Sequence, residues 1–263
     1  MIIDFHTHMF PDKIAARTID FLSKTGGDMN PFTDGTWKGL KESTKQAGID
    51  HSIVLPIATR PGQFHTINEF ATHFQEGTLI SFGSLHPESE NYKEELKQIQ
   101  DMGMKGIKLH PDYQDTYFND IRYKRIISYA TELGLIISVH AGQDPKCPDN
   151  IHCTPAMAEE VLNEVEPEKL VLAHMGGNEL WSEVEERLVG RNVYFDTGVI
   201  LDRMPQEQFL RMVRGHGADR IVFGTDSPWA DQKKFVEILK EMPLEEEERN
   251  QIFAGTAVKL LGL

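Results

Sequence analysis

Two histidines, spaced two residues apart, close the first apolar stretch of the chain. His6 and His8 end the segment Ile2-Ile3-Asp4-Phe5-His6-Thr7-His8. Successive side chains of a β-strand point to opposite faces, so residues two apart share a face. In a helix, residues two apart do not face each other. The spacing therefore predicts a strand that turns both imidazoles to one side, where they can bind one metal ion.

Further residues of metal-binding type follow the later apolar runs. The ends of these runs carry His86, Lys108, His110, His140, His174, Asp196 and Asp226. Buried imidazoles and carboxylates are costly without partners, and one divalent cation can satisfy several of them. The best ligand set comprises His6, His8, His140 and Asp226. Imidazole nitrogen and carboxylate oxygen suit zinc best, and also manganese, iron or cobalt.

This ligand set predicts a hydrolytic site. A metal ion with an open position lowers the pKa of a bound water to about 7. Asp226 could then accept the second proton of that water. His174 is the predicted acid–base or carbonyl-polarising group, because its strand follows that of His140 and the four-residue ligand set does not include it.

Strand-like and helix-like segments alternate along the whole chain. Predicted strands begin at Ile2 and near residues 52, 79, 106, 135, 169, 193 and 220, each run being apolar and too short for a helix. Such alternation predicts parallel strands joined by helical crossovers. Eight units in 263 residues predict an α/β fold, a single-domain (β/α)8 TIM barrel over residues 1–263. A doubly wound open sheet is the alternative, although His6-Thr7-His8 occupies the place of its glycine-rich turn.

Composition narrows the functional class. The net charge of −14 argues against a general nucleic-acid binder, and Glu245 to Glu248 read as the solvated start of a helix. Two cysteines, Cys147 and Cys153, do not make a secreted disulfide scaffold. Neither a signal peptide nor a membrane span is recognisable. We expect a soluble, cytoplasmic protein with a small-molecule substrate and no nucleic-acid or membrane partner; a homodimer is left open.

The combined motifs resemble those of a known family. Five segments carry the resemblance: Asp4-Phe5-His6-Thr7-His8, Gly106-Ile107-Lys108-Leu109-His110-Pro111, Val139-His140-Ala141-Gly142, Ala173-His174-Met175-Gly176-Gly177 and Phe223-Gly224-Thr225-Asp226-Ser227-Pro228. They resemble the amidohydrolase superfamily, most closely the "amidohydrolase 2" branch of TIM-barrel metal-dependent hydrolases. That branch includes decarboxylases acting on aminocarboxymuconate semialdehyde and on hydroxybenzoates. The resemblance implies metal ligation by His6, His8, His140 and Asp226, and a catalytic role for His174.

Three further residues have two interpretations each. Lys108 either bridges two metal ions as a carbamate, as in two-metal members of the superfamily, or anchors a substrate carboxylate. His110 is either a substrate contact or an extra ligand. Arg60 either pairs with a substrate carboxylate or lies in a surface loop. Asp196 is predicted to orient a ligand histidine.

The loop that carries Cys147, His152 and Cys153 has metal-ligand residue types without a common zinc spacing. It reads as a substrate-facing lid.

Three functions remain open from the sequence. The first is a metal-dependent hydrolase of a C–N or C–O bond in an amide, lactone or ester. The second is a non-oxidative decarboxylase of a small aromatic or dienoic acid at the same metal site. The third is a non-catalytic metal-binding scaffold, against which the complete ligand set argues. Nothing in the sequence names the substrate, because barrel specificity lies in the loops.

Overall fold

Short apolar runs form the strands of this protein. The computed structural model describes residues 1–27 and 29–263. Within them it has nine strands: β1 Ile3–Thr7, β2 His51–Val54, β3 Leu79–Ser81, β4 Gly83–Ser84, β5 Gly106–Leu109, β6 Ile136–Val139, β7 Leu170–Leu172, β8 Tyr194–Asp196 and β9 Ile221–Val222. β1 and β4 to β7 are buried along their whole length, as expected for a parallel sheet covered on both faces.

Helices separate the strands almost throughout. They are α1 Asp12–Thr25, α2 Trp37–Gln46, α3 Phe64–Ala71, α4 Tyr92–Asp101, α5 Ile121–Glu132, α6 Pro155–Val165, α7 Trp181–Arg187, α8 Gln206–His216, α9 Gln232–Glu241, α10 Glu246–Asn250 and α11 Thr256–Leu261. Their buried positions recur at three- and four-residue intervals, as at Tyr123, Ile126, Ile127 and Ala130 of α5. That period gives each helix one buried face, except α10, which has no buried residue. Across the described part of the chain, no helix combines the length and the apolar character that a membrane crossing requires.

The strands pair in sequence order. β1, β2 and β3 form one sheet in that order, with β1 and β2 parallel. From β4 to β8, each strand pairs in parallel with the next. Sequential parallel neighbours separated by helices are the strand–helix alternation that the sequence predicts.

The chain forms two compact units. The first comprises residues 1–54, 76–80 and 196–263, and the second comprises residues 55–75 and 81–195. Phe5, Leu40 and Phe235 are fully or almost fully buried in the first unit, and Phe82, Phe118 and Tyr123 are fully buried in the second. Each unit therefore has its own apolar core.

Two predicted elements are interrupted. The third strand, predicted as continuous, divides into β3 and β4. The Asn68 side chain accepts a hydrogen bond from the Ser84 backbone N–H at 2.9 Å and donates to its carbonyl oxygen at 2.8 Å. The last helix is broken by a π-helical turn, Gln251–Gly255. There the carbonyl of Ile252 accepts a hydrogen bond from Phe223 N–H at 2.8 Å, which draws it out of the regular helical pattern.

Candidate metal centre

A pair of backbone segments in the first unit brings together His6, His8 and Asp226. His6 lies within β1 and His8 directly after it, while Asp226 follows β9. Asp226 N–H donates to the His6 carbonyl at 2.7 Å, and His8 N–H donates to the Ser227 carbonyl at 2.6 Å. Asp226 has a left-handed backbone with φ of 64°, a conformation that non-glycine residues rarely adopt outside constrained sites.

The ligand atoms of these three residues lie at the separations that a metal ion requires. His6 Nε2 and His8 Nε2 are 3.2 Å apart. Asp226 Oδ1 lies 3.4 Å from His6 Nε2 and 3.0 Å from His8 Nε2. Metal–ligand bonds of about 2.0–2.1 Å in tetrahedral geometry place neighbouring ligands about 3.3–3.4 Å apart. The three residues therefore fit a divalent cation, and His6 and His8 lie side by side. That they bind a metal ion stays a prediction.

Asp196 fixes the orientation of the His6 ring. Its Oδ2 lies 2.8 Å from His6 Nδ1, and both side chains are buried. A carboxylate at Nδ1 holds the proton there and leaves the Nε2 lone pair for a metal. The predicted contact between Asp196 and a ligand histidine is present.

Asp4 joins the same two segments from within the core, a role that the sequence analysis missed. Its Oδ1 accepts hydrogen bonds from the backbone N–H of His6 at 3.2 Å and of Thr225 at 2.9 Å. Its Oδ2 accepts from Thr225 Oγ1 at 2.6 Å and Gln232 Nε2 at 2.7 Å. Complete burial raises the pKa of Asp4 to about 7, and these hydrogen bonds oppose the rise only in part. The sequence did contain a signal for this role, because Asp4 is an acidic residue two positions before His6 on a strand predicted to be buried.

Solvent reaches one side of the triad. The side chains of His8 and Asp226 are each 13% exposed, whereas His6 is 1% exposed. A small molecule or water can therefore approach the Asp226 side while His6 stays in the core.

A second cluster of histidines and carboxylates lies in the second unit, at the ends of β5 and β6. Asp144 Oδ2 is 3.7 Å from His110 Nε2 and 3.9 Å from His140 Nε2. Asp112 Oδ2 is 3.7 Å from His140 Nε2. All four side chains are buried. Asp112 and Asp144 were missed by the sequence analysis, although each follows a predicted histidine by two or four residues.

His152 holds one oxygen of Asp112. Its ring Nδ1 lies 3.0 Å from Asp112 Oδ1, and its backbone N–H donates to the same oxygen at 3.2 Å. Burial raises the pKa of the Asp112 carboxyl, and the hydrogen bonds from His152 oppose that rise. Asp112 Oδ2 is buried and has no hydrogen-bond partner in the described residues.

His174 adjoins this cluster through His140. Its Nε2 lies 3.0 Å from His140 Nδ1, and its carbonyl accepts a hydrogen bond from Trp181 Nε1 at 3.1 Å. The backbone of His174 is left-handed, with φ of 61°. The predicted catalytic histidine is therefore buried and conformationally constrained.

The other predicted residues have different surroundings. Lys108 is completely buried in β5, where it pairs in register with Ser138. Arg60 is exposed. Cys147 is half-buried and Cys153 fully buried, and burial raises the pKa of both thiols. In the residues described, the candidate metal clusters contain neither cysteine.

Of the predicted ligand set, His6, His8 and Asp226 converge within the first unit. His140 belongs to the second unit. Its membership of the same set stays a prediction.

Comparison with known proteins identifies the family of this chain. A family model described as Amidohydrolase matches residues 3–263. The chain belongs to the amidohydrolase family. The predicted resemblance is thus confirmed over nearly the whole chain, and the family is one of enzymes. No curated protein matches this amidohydrolase.

Solved structures similar to this amidohydrolase share its fold from end to end. An uncharacterized TIM-barrel protein from Bordetella bronchiseptica has a TM-score of 0.76 at 18% identity, over 99% of this chain and 98% of its own. A 5-carboxyvanillate decarboxylase from Sphingomonas paucimobilis has a TM-score of 0.71 at 12% identity, over 100% of this chain and 99% of its own. A dihydroxybenzoic acid decarboxylase from Polaromonas sp. with bound manganese has a TM-score of 0.75 at 15% identity, over 100% of this chain and 97% of its own. The fold is therefore the predicted parallel (β/α)8 class, and the alternative of a doubly wound sheet is wrong.

Proposed function

We propose that this amidohydrolase is a metal-dependent hydrolase of a small amide, lactone or ester. One observation carries the proposal: three ligand atoms of His6, His8 and Asp226 lie 3.0–3.4 Å apart beside a solvent-accessible side. A closed structural site would bury all its ligands, whereas a catalytic site keeps a position open. We favour zinc, and manganese is the alternative supported by the manganese in a similar structure.

The roles of the residues follow from their contacts. When bound, a divalent cation supplies Lewis acidity, which polarises a carbonyl and lowers the pKa of water to about 7. His6 is held by Asp196 with Nε2 available as a ligand. Asp226 stands at the exposed side and accepts the proton that the attacking water releases. His174, as the resemblance implies, donates a proton to the leaving nitrogen or oxygen.

A non-oxidative decarboxylase is the second candidate. It is supported by the similar solved structures, two of which are the decarboxylases from Sphingomonas paucimobilis and Polaromonas sp.. In that reaction the substrate is an aromatic or dienoic acid, and His174 or Asp226 protonates the carbon that loses carbon dioxide. We place hydrolysis first because the side chains of His8 and Asp226 are partly exposed, which leaves a side of the triad open to the attacking water.

The test is metal-dependent turnover by the full chain. The enzyme is stripped with a chelator, reloaded with zinc or manganese, and assayed on esters, lactones and amides. In parallel, carbon dioxide release is measured from 2,6-dihydroxybenzoate and 5-carboxyvanillate. We expect hydrolysis that disappears on chelation and returns with metal.

Two variants sharpen the assay. His174→Asn should lose about 10²–10⁴-fold in kcat while keeping its metal content, and His8→Asn should lose both metal and activity. Asp202→Asn, in the same unit as His8 but paired with exposed Lys234, is the control for both variants. Carbon dioxide release without hydrolysis would replace the first candidate by the second. Metal binding with neither activity would favour the non-catalytic scaffold.

A further inference from the structure

We propose that Gln114 is a positioning residue for substrate binding, a role that rests on the proposed function. Its side chain holds together three segments of the second unit, those of Ala58, Leu85 and His110, which follow β2, β4 and β5 in the chain. Gln114 itself lies between β5 and α5 and is 2% exposed. A polar side chain buried to this extent is stable only when it is hydrogen-bonded.

Both the nitrogen and the oxygen of the Gln114 amide are fully used. Nε2 donates to the carbonyl oxygens of Ala58 and Leu85, each at 2.8 Å. Oε1 accepts from the His110 backbone N–H at 3.0 Å and from the Tyr123 hydroxyl at 2.7 Å. An amide side chain has two N–H donors and an oxygen with two lone pairs. The four bonds therefore saturate Gln114 and fix its position from four directions.

The Ala58 segment depends on side chains for its position. Ala58 lies outside the strands. Its N–H donates to Ser84 Oγ at 2.9 Å, and Ser84 Oγ donates in turn to the Lys108 carbonyl at 2.9 Å. Its carbonyl accepts from Gln114. Buried backbone groups must be paired, and here two side chains supply the bonds that a neighbouring strand supplies in a sheet.

The segments that Gln114 holds are the kind that bind substrates in this fold. TIM-barrel enzymes build their active sites from the loops that follow the carboxyl ends of the strands. Arg60, two residues after Ala58, and His110 are both candidate substrate contacts from the sequence. The four bonds of Gln114 stay within the second unit, whereas the ligand triad belongs to the first. Loss of Gln114 should therefore weaken substrate binding and leave metal binding intact.

Gln114→Glu separates the two halves of the amide. The carboxylate keeps Oε1 and places a second oxygen, in place of Nε2, against the two carbonyl oxygens, which it can only repel. Tyr123→Phe is the milder variant, because it removes one hydroxyl that binds Oε1 and keeps the buried ring. Gln98→Glu, exposed in α4 of the same unit, adds the same charge and is the matched control.

The experiment is steady-state kinetics of the metal-loaded full chain on whichever substrate it hydrolyses or decarboxylates. A variant that merely unfolds in part has less active enzyme, so its apparent kcat falls and its KM is unchanged. A variant with misplaced substrate contacts has a raised KM. We expect KM to rise about tenfold or more in Gln114→Glu and about two- to fivefold in Tyr123→Phe, with kcat within about threefold of the wild type. Metal content should be unchanged in both, and Gln98→Glu should match the wild type throughout.

Hydrogen exchange gives a readout that needs no turnover. In Gln114→Glu the amides of residues 58–63 and 85–89 should exchange faster, while those of β6 and β7 keep their wild-type rates. If Gln114→Glu does not fold, Tyr123→Phe carries the same test. An unchanged KM with a lowered kcat, or exchange that is unchanged or raised across the whole unit, would overturn the inference. A wild type without turnover would overturn the proposed function, and the exchange pattern would then decide whether Gln114 positions these segments.

Discussion

His6 shows how a few contacts can prepare an ordinary side chain to bind a metal ion. Asp196 holds its Nδ1 at 2.8 Å, and Asp4 accepts a hydrogen bond from its backbone N–H. Its Nε2 lies beside His8 and Asp226. Ring orientation, backbone position and partner ligands are each set by a separate group, which is the preorganisation that a metal site needs.

Asp196 should matter for metal affinity more than for folding. In Asp196→Asn the carboxylate that holds the His6 proton is lost, so the ring is less basic and less fixed. We expect metal affinity to fall about 10–100-fold, measured by competition with a chromophoric chelator. Asp202→Asn should bind metal as the wild type does. Equal affinities in Asp196→Asn and wild type would contradict the assigned role.

Asp4 should make stability depend on pH. Its pKa is 3.8 in the unfolded chain and about 7 in the folded one. Between about pH 4 and about pH 7 the folded chain keeps a proton that the unfolded chain releases, so the free energy of unfolding falls as pH rises. The slope from this group is at most about 1.4 kcal/mol per pH unit.

Urea unfolding of metal-free protein across that range measures the slope. Asp4→Asn cannot titrate and should show a correspondingly flatter pH dependence, whatever its absolute stability. Parallel curves for wild type and variant would rule out the raised pKa.

At the scale of elements, the tight crossing after β6 positions the residues that follow His140. Gly142 has φ of 85°. Its N–H donates to the Cys153 carbonyl at 2.8 Å, and it forms a parallel bridge with Asn178. A Cβ at Gly142 would lie 2.0 Å from Asn178 N and 2.4 Å from Asn178 O. Both atoms are backbone, so no side-chain rotation relieves the clash.

Gly142→Ala should therefore destabilise the fold more than a left-handed glycine elsewhere. Gly134 has φ of 71° and would bring a Cβ within 4 Å of no atom, so Gly134→Ala should cost only about 1–2 kcal/mol. We expect Gly142→Ala to exceed about 3 kcal/mol, measured by chemical denaturation. Similar decreases in the free energy of unfolding in both variants would show that the backbone contact between Gly142 and Asn178 is not rigid.

Much of the element pattern could be predicted from the sequence, because burial on both faces leaves continuous apolar runs. The breaks could not. β3 and β4 separate because Asn68 in α3 bonds to Ser84, and the last helix opens because Ile252 bonds to Phe223. Both causes join residues remote in sequence. The start of α10 was predictable, since Glu245 N–H bonds locally to Glu248 Oε2 at 2.9 Å.

The residues of the candidate site likewise divide into those that could be predicted from the sequence and those that could not. His6, His8 and Asp226 were predictable from residue type and position at strand ends. Asp4, Asp112 and Asp144 were missed, because a carboxylate near a ligand reads equally as surface until its burial is known.

At the scale of the whole molecule, metal binding should stabilise the folded chain. A ligand that binds only the folded state adds about 2.7 kcal/mol at 100 times its Kd. We expect zinc or manganese to raise Tm by several degrees and a chelator to reverse the rise, followed by differential scanning fluorimetry. His8→Asn should lose part of the shift. Asp20→Asn, which removes an exposed ion pair with Lys24, should keep the full rise in Tm. An equal rise in Tm in His8→Asn and in the wild type would show that the metal binds elsewhere.

The most direct measurement is an anomalous-difference map at the metal absorption edge from crystals grown with manganese or zinc. The account predicts a peak about 2.0–2.2 Å from His6 Nε2, His8 Nε2 and Asp226 Oδ1. Well-ordered side chains at these positions with no peak among them, in metal-saturated protein, would contradict it.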